Sequence, residues 1–177
     1  MISRNLAVLL LSLVVSLTGF SQQKNGVRLG LNVNQFQRDF GLGIHINSPY
    51  FIKQKTAIRL GANLQWLQHV DRNGEDTWTP YGNVQLGIRT RHFIVENKIF
   101  IYGEGGVCLL LPNQKFSSTS ALVGGYGLFG FEFLMTERMS FILELGGMGT
   151  GSRADLVPHK PIHSNGFVTS AGFRFNL

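Results

Sequence analysis

Period-two alternation runs along most of this chain, and it restricts the chain to strands. The first run is Val27-Arg28-Leu29-Gly30-Leu31-Asn32-Val33-Asn34, and the second is Phe40-Gly41-Leu42-Gly43-Ile44-His45-Ile46-Asn47. Two more extend from Ile58 to Trp66 and from Tyr81 to Arg89. In each, apolar side chains share one face while Gly, Asn, Gln or Arg share the other. The 3.6-residue period of a helix would scatter these residues. Noisier runs follow at Ile99 to Leu111, Val123 to Phe133, Phe141 to Gly149 and Phe167 to Leu177.

Residues 1–21 read as a leader rather than as part of the fold. Arg4 supplies a positive start, Leu6 to Val15 is apolar apart from Ser12, and Gly19 and Ser21 suit a cleavage site after Ser21. The apolar stretch is too short for the roughly 20 residues that span a bilayer as a helix. Residues 22–177 then form one domain. With Cys108 as the single cysteine, no disulfide within the chain can hold it.

Periodicity does not say which strand face is outside. A soluble lipocalin-like barrel or sandwich would bury the apolar face, whereas a membrane barrel turns it to lipid. Two features favour the membrane: the export leader, and the glycines on the polar face. Glycine is costly on a solvent-exposed strand but useful where backbones crowd inside a narrow barrel. The composition agrees, with 22 Gly and 14 Phe in the chain. The expected fold is therefore all-β: an eight-stranded antiparallel up-and-down transmembrane barrel. Its strands would have the roughly nine to eleven residues a tilted span needs, in the even number usual for bacterial barrels. Segments 48–55, 91–98 and 134–140 read as short turns on one side. His69 to Pro80, Pro112 to Ser120 and Ser152 to Gly166 read as longer external loops, and Gln35 to Asp39 as a short one.

The last run, Ser170-Ala171-Gly172-Phe173-Arg174-Phe175-Asn176-Leu177, resembles the C-terminal insertion signal of outer-membrane barrels. Ser170, Gly172, Phe175 and Leu177 fill its positions, with Leu177 where many members carry an aromatic. The layout of the whole mature chain resembles the small OmpA/OmpX-like barrels. The resemblance implies an outer-membrane location, lipid contacts and recognition by the barrel-assembly machinery during insertion, but no particular activity.

Candidate chemistry is sparse. His163-Ser164-Asn165-Gly166 is similar to the His-x-Ser-Asn motif of outer-membrane lipid A deacylases, in which a His activates a Ser. Here no residue separates the pair, and adjacent side chains on a strand face opposite ways. His69, His159 and His163 with Asp71, Glu75 and Asp76 lack the close ligand spacing of a metal site. No cofactor motif is present, and Gly103-Glu104-Gly105-Gly106 and Gly124-Gly125-Tyr126-Gly127 lie inside strands. Trp66, Trp78, Tyr81 and Phe116 near outer strand ends suit an aromatic girdle, and Cys108 reads as a small inward residue. The net charge of +6 is dispersed along the chain, which gives no case for a nucleic-acid partner.

One further expectation comes from register. Each strand places an ionisable residue on the polar face: Arg28, His45, Arg59, Arg89, Glu104, Glu132, Glu144 and Arg174. Strand direction brings them to similar depth, as a structural ionic cluster in the lumen, because charges held away from water pair. The functional reading is a structural or surface-interaction protein without catalysis. Its alternatives are a deacylase-like hydrolase and, third, a narrow pore or lipophile conduit. The interior of an eight-stranded barrel is just wide enough for side chains to fill.

Overall fold

The computed structural model describes residues 26–36, 39–71, 74–95 and 98–177. The leader, residues 1–21, lies outside them. Eight strands run in order: β1 Arg28–Gln35, β2 Asp39–Asn47, β3 Thr56–Val70, β4 Asp76–Val95, β5 Ile99–Leu111, β6 Leu122–Leu134, β7 Met139–Gly149 and β8 Gly166–Asn176. Each pairs antiparallel with its sequence neighbour, and β8 returns to β1, so the sheet closes into a barrel. Closure leaves the barrel wall without an edge strand.

Burial follows the alternation, with the polar side inside. In β2 the residues Asp39, Gly41, Gly43, His45 and Asn47 are buried, while Phe40, Leu42, Ile44 and Ile46 are exposed. Leu31 is 49% exposed and Ile88 60%, yet Arg89 is fully buried. A soluble protein does not present so broad an apolar surface around a charged interior. In a bilayer the same arrangement is favourable, because lipid covers the belt and closed strand pairing satisfies the backbone of the wall. The structure thus resolves the facing left open by periodicity.

Two strands are longer than the sequence suggests. Much of the loop expected from His69 to Pro80 is strand, with β3 and β4 paired out to Val70 and Asp76. Likewise Arg91 to Val95 continue β4 and pair with β5, with a bulge between Phe93 and Val95. The aromatic girdle is also only half of what was expected. Phe40 stacks on Trp66 at 5.1 Å and meets Trp78 edge-on at 5.3 Å on the outer face. Tyr81 and Phe116, in contrast, are buried inside the barrel mouth.

Large inward side chains fit because glycine faces them. The His45 ring occupies the space where a Gly30 side chain would stand, and the Tyr102 ring does the same over Gly130. Cys108 faces inward, packed with Phe36, Tyr126, Met148 and Val168.

Candidate functional site: a charged lumen under an apolar cap

The inward ionisable side chains meet in one network. Arg59 donates from Nη1 to Glu104 at 3.2 and 3.3 Å and to Glu144 at 3.0 Å. Arg89 donates from Nε to Glu104 at 2.8 Å and from Nη2 to Glu144 at 2.9 Å. Arg174 bonds Glu132 at 2.6 Å and lies 4.0 Å from Glu144, while Arg28 stands 3.8 Å from Glu132. The chain of charges runs from Arg28 through Glu132, Arg174 and Glu144 to Arg59 and Arg89, which share Glu104, and all seven residues are buried. His45 joins through its Nδ1, 3.2 Å from both Asn32 and Arg59, and meets no carboxylate among the described residues.

Two tyrosines complete the network. Tyr102 donates to Glu144 at 2.7 Å and Tyr126 to Glu104 at 2.9 Å. The Arg89 guanidinium also lies 4.0 Å from the Tyr102 ring centroid. Sequence reasoning omitted both residues, although they share strand parity with Glu104 and Glu132. Charge-assisted bonds are the stronger kind, and an arginine's fork can engage two carboxylates together. The network thus crosslinks β1, β3, β4, β5, β6, β7 and β8 through the lumen.

A neutral layer stands above it. Asn32 bonds Asn34 and Ser170, Asn34 bonds Asn63, and Asn63 bonds Asn83. At the long-loop end the lumen closes with an apolar cap of Leu67, Tyr81, Leu110, Phe116, Ala154 and Val157. Asp39 accepts from the Tyr81 hydroxyl at 2.6 Å and from the Ser164 amide at 2.8 Å. Ser164 also donates to Gln65 at 2.7 Å, so the last loop is fastened to the wall.

The His163–Ser164 pair does not form. The Nε2 of His163 lies 2.8 Å from the hydroxyl of Ser152, and the Ser164 hydroxyl is held by Tyr81 and Gln65. Ser152 and His163 make a Ser–His contact that spacing alone did not reveal. Each is only 1% exposed, and among the described residues no carboxylate meets the other ring nitrogen. The His163 ring packs edge-on against Phe116 at 4.9 Å and Tyr81 at 5.2 Å. His69 is a buried strand residue, with its Nε2 2.9 Å from Thr79 Oγ1.

Burial among these rings pushes the His163 imidazole down from 6.5 to about 4. The opened loop therefore binds a proton in a range where the closed loop does not. Closure should weaken as pH falls from 6.5 towards 4 and be unaffected above that range. Hydrogen exchange of amides in residues 150–165, corrected for intrinsic rates, should show faster opening at pH 4.5 than at pH 7.5. His163→Gln should remove that difference, and an equal difference in the variant would assign it to other groups.

Known structures share this architecture. The N-terminal β-barrel domain of OprF from Pseudomonas aeruginosa superposes with a TM-score of 0.62 at 12% identity, covering 88% of this chain and 100% of that one. The likeness is one of fold. A structure from a study of de novo designed transmembrane β-barrels gives a TM-score of 0.50 at 8% identity, covering 88% of this chain and 98% of that chain. No protein-family model matches the sequence, and no curated protein matches it significantly. The comparisons thus support the eight-stranded membrane-barrel architecture and leave the role of the lumen to its chemistry.

Proposed function

We propose that this chain is an integral outer-membrane β-barrel with a structural or surface-interaction role, closed to solutes and without catalysis. The observation that carries this reading is the continuous Arg–Glu network, which fills the lumen below an apolar cap. An ion crossing such a lumen would have to displace paired charges and then cross the apolar layer, where it loses hydration. The leader and the terminal Ser170, Gly172, Phe175 and Leu177 support export and delivery to the assembly machinery. That machinery would add β8 through main-chain hydrogen bonds.

Purified protein in planar bilayers should give no stable large-conductance steps. Reproducible steps of general-porin size from the monomer would reject the closed lumen. A hydrolase remains the second reading because of the Ser152–His163 contact. Its own test is the mass of lipid A from cells with and without the protein. An acyl chain lost only when Ser152 is intact would replace the structural reading by the enzymatic one.

A further inference from the structure

The two rims of the barrel differ in charge. At the long-loop end, the described carboxylates Asp71, Glu75, Asp76 and Asp155 stand against Lys115, Arg153 and Lys160, with Arg38 and Arg72 added by the sequence, a near balance. The short-turn end carries Lys53, Lys55, Arg91, Lys98 and Arg138, with Glu137 as the described opposing carboxylate and Glu96 added by the sequence. Short turns mark the periplasmic side of such barrels, so the excess faces inward.

Backbone bonds hold these cations around the rim. The Arg91 amide donates to the Lys55 carbonyl, Leu134 to that of Lys98, and Asn176 to that of Arg138. The Arg91 guanidinium lies 3.6 Å from the Tyr50 ring centroid and 4.6 Å from that of Phe100. No ion pair joins Lys53, Lys55, Lys98 or Arg138 to a described carboxylate.

Exposed apolar side chains are interleaved with them. Phe51, Ile52, Ile94, Val95 and Met135 stand at the same rim, with Ile52 at 66% exposure. Ile52, Lys53 and Gln54 follow one another with φ of 45°, 55° and 58°. Left-handed backbone is costly for a β-branched residue, yet this turn adopts it and carries Ile52 outward beside two lysines. The bulge in β4 similarly leaves consecutive Ile94 and Val95 both exposed.

We propose that this rim is a binding surface for anionic phospholipid of the inner leaflet, its apolar side chains entering the acyl region and its cations meeting the phosphates. Charge alone would also suit an acidic wall polymer. The interleaved apolar groups favour lipid, because a hydrated polymer would leave them in water, and they continue the lipid-facing belt. Long basic side chains reach the headgroup level while their stems stay in the apolar zone.

The test uses the mature chain folded in detergent, with folding checked by its shift on unboiled gels. Native mass spectrometry would compare retained phosphatidylglycerol and phosphatidylcholine of identical acyl chains. Each cation at an anionic surface is worth about fivefold in affinity, so phosphatidylglycerol should be retained at least tenfold better. A variant carrying Lys53→Gln, Lys55→Gln, Lys98→Gln and Arg138→Gln should lose that preference, and these exposed sites leave the lumen untouched. Ile52→Ser with Ile94→Ser should weaken both lipids and preserve their ratio. Equal retention of the two lipids, or a preference surviving the glutamine variant, would overturn the proposal. Displacement by free glycerophosphate at equal concentration would assign a phosphate site instead. Capture of acidic wall fragments without lipid preference would assign the rim to the wall.

Discussion

Glu104→Gln should lower the stability of the folded barrel by about 3–5 kcal/mol, the usual cost of breaking a buried ion pair from one side. Glu75→Gln, in the external turn, should stay within about 0.5 kcal/mol, as exposed substitutions generally do. Glu104 accepts from Arg59, Arg89 and the Tyr126 hydroxyl. Glutamine keeps one oxygen but turns an NH2 towards the guanidinium groups, and Arg59 and Arg89 are left with Glu144 as their common carboxylate. Urea unfolding in detergent or thin-bilayer vesicles, followed by loss of the fast-migrating gel band, measures both variants. Arg59→Met combined with Glu104→Gln should recover part of the loss, because it removes a stranded cation along with its partner. The coupling expected of contacting residues is about 0.5–3 kcal/mol. Equal stability of the Glu104 and Glu75 variants would mean that the lumen is wet enough to solvate the arginines, and the sealed-lumen reading would fail with it.

The network was accessible to sequence reasoning because period two is rigid. Once Arg59 and Arg89 share a face with Gly61 and Gly87, their inward direction follows, and antiparallel order sets their approximate depth. Pairings are less accessible. Arg89 and Glu104 are cross-strand partners on adjacent strands, whereas Arg59 reaches Glu144 across the lumen, a distance that parity does not encode. The early start of β4 was hidden by the polarity of His69 to Pro80, which reads as an external loop ending in a proline. β5 pairs only as far as Gly82 with Leu111, so the proline has no β5 partner to disrupt. The cap was illegible for a different reason. Asp39, Ser152, His163 and Ser164 come from a strand end and a long loop, and loop paths depend on packing rather than on a repeat. Spacing therefore argued only against His163 with Ser164, and the partner that folding gives His163, Ser152, lies 11 residues away.

Gly172→Val should prevent the barrel from closing, and it should do so without any cellular machinery. Gly172 lies on the inner face of β8 opposite Asn32 of β1, at the seam where the ends of the sheet meet. A Cβ at this position would fall on the carbonyl oxygen of Leu31 and lie 2.7 Å from the Cα of Asn32. Both are backbone atoms held by the ladder, so relief requires β1 and β8 to separate. An open seam exposes unpaired amides to lipid, at several kcal/mol for each. The same glycine stands in the C-terminal assembly motif, so two explanations of its presence compete. If it serves only recognition, the valine variant should refold from urea into pure detergent or lipid as well as the parent chain and fail only in cells. If sterics decide, refolding fails in the purified system too, with no heat-modifiable gel band and a strand signal below that of the parent. Phe175→Ala separates the cases from the other side, because its lipid-facing ring leaves the seam backbone unobstructed. That variant should refold in vitro, and any defect it shows in cells belongs to recognition. Normal refolding of Gly172→Val would remove the steric argument and leave the motif as the sole reason for the glycine.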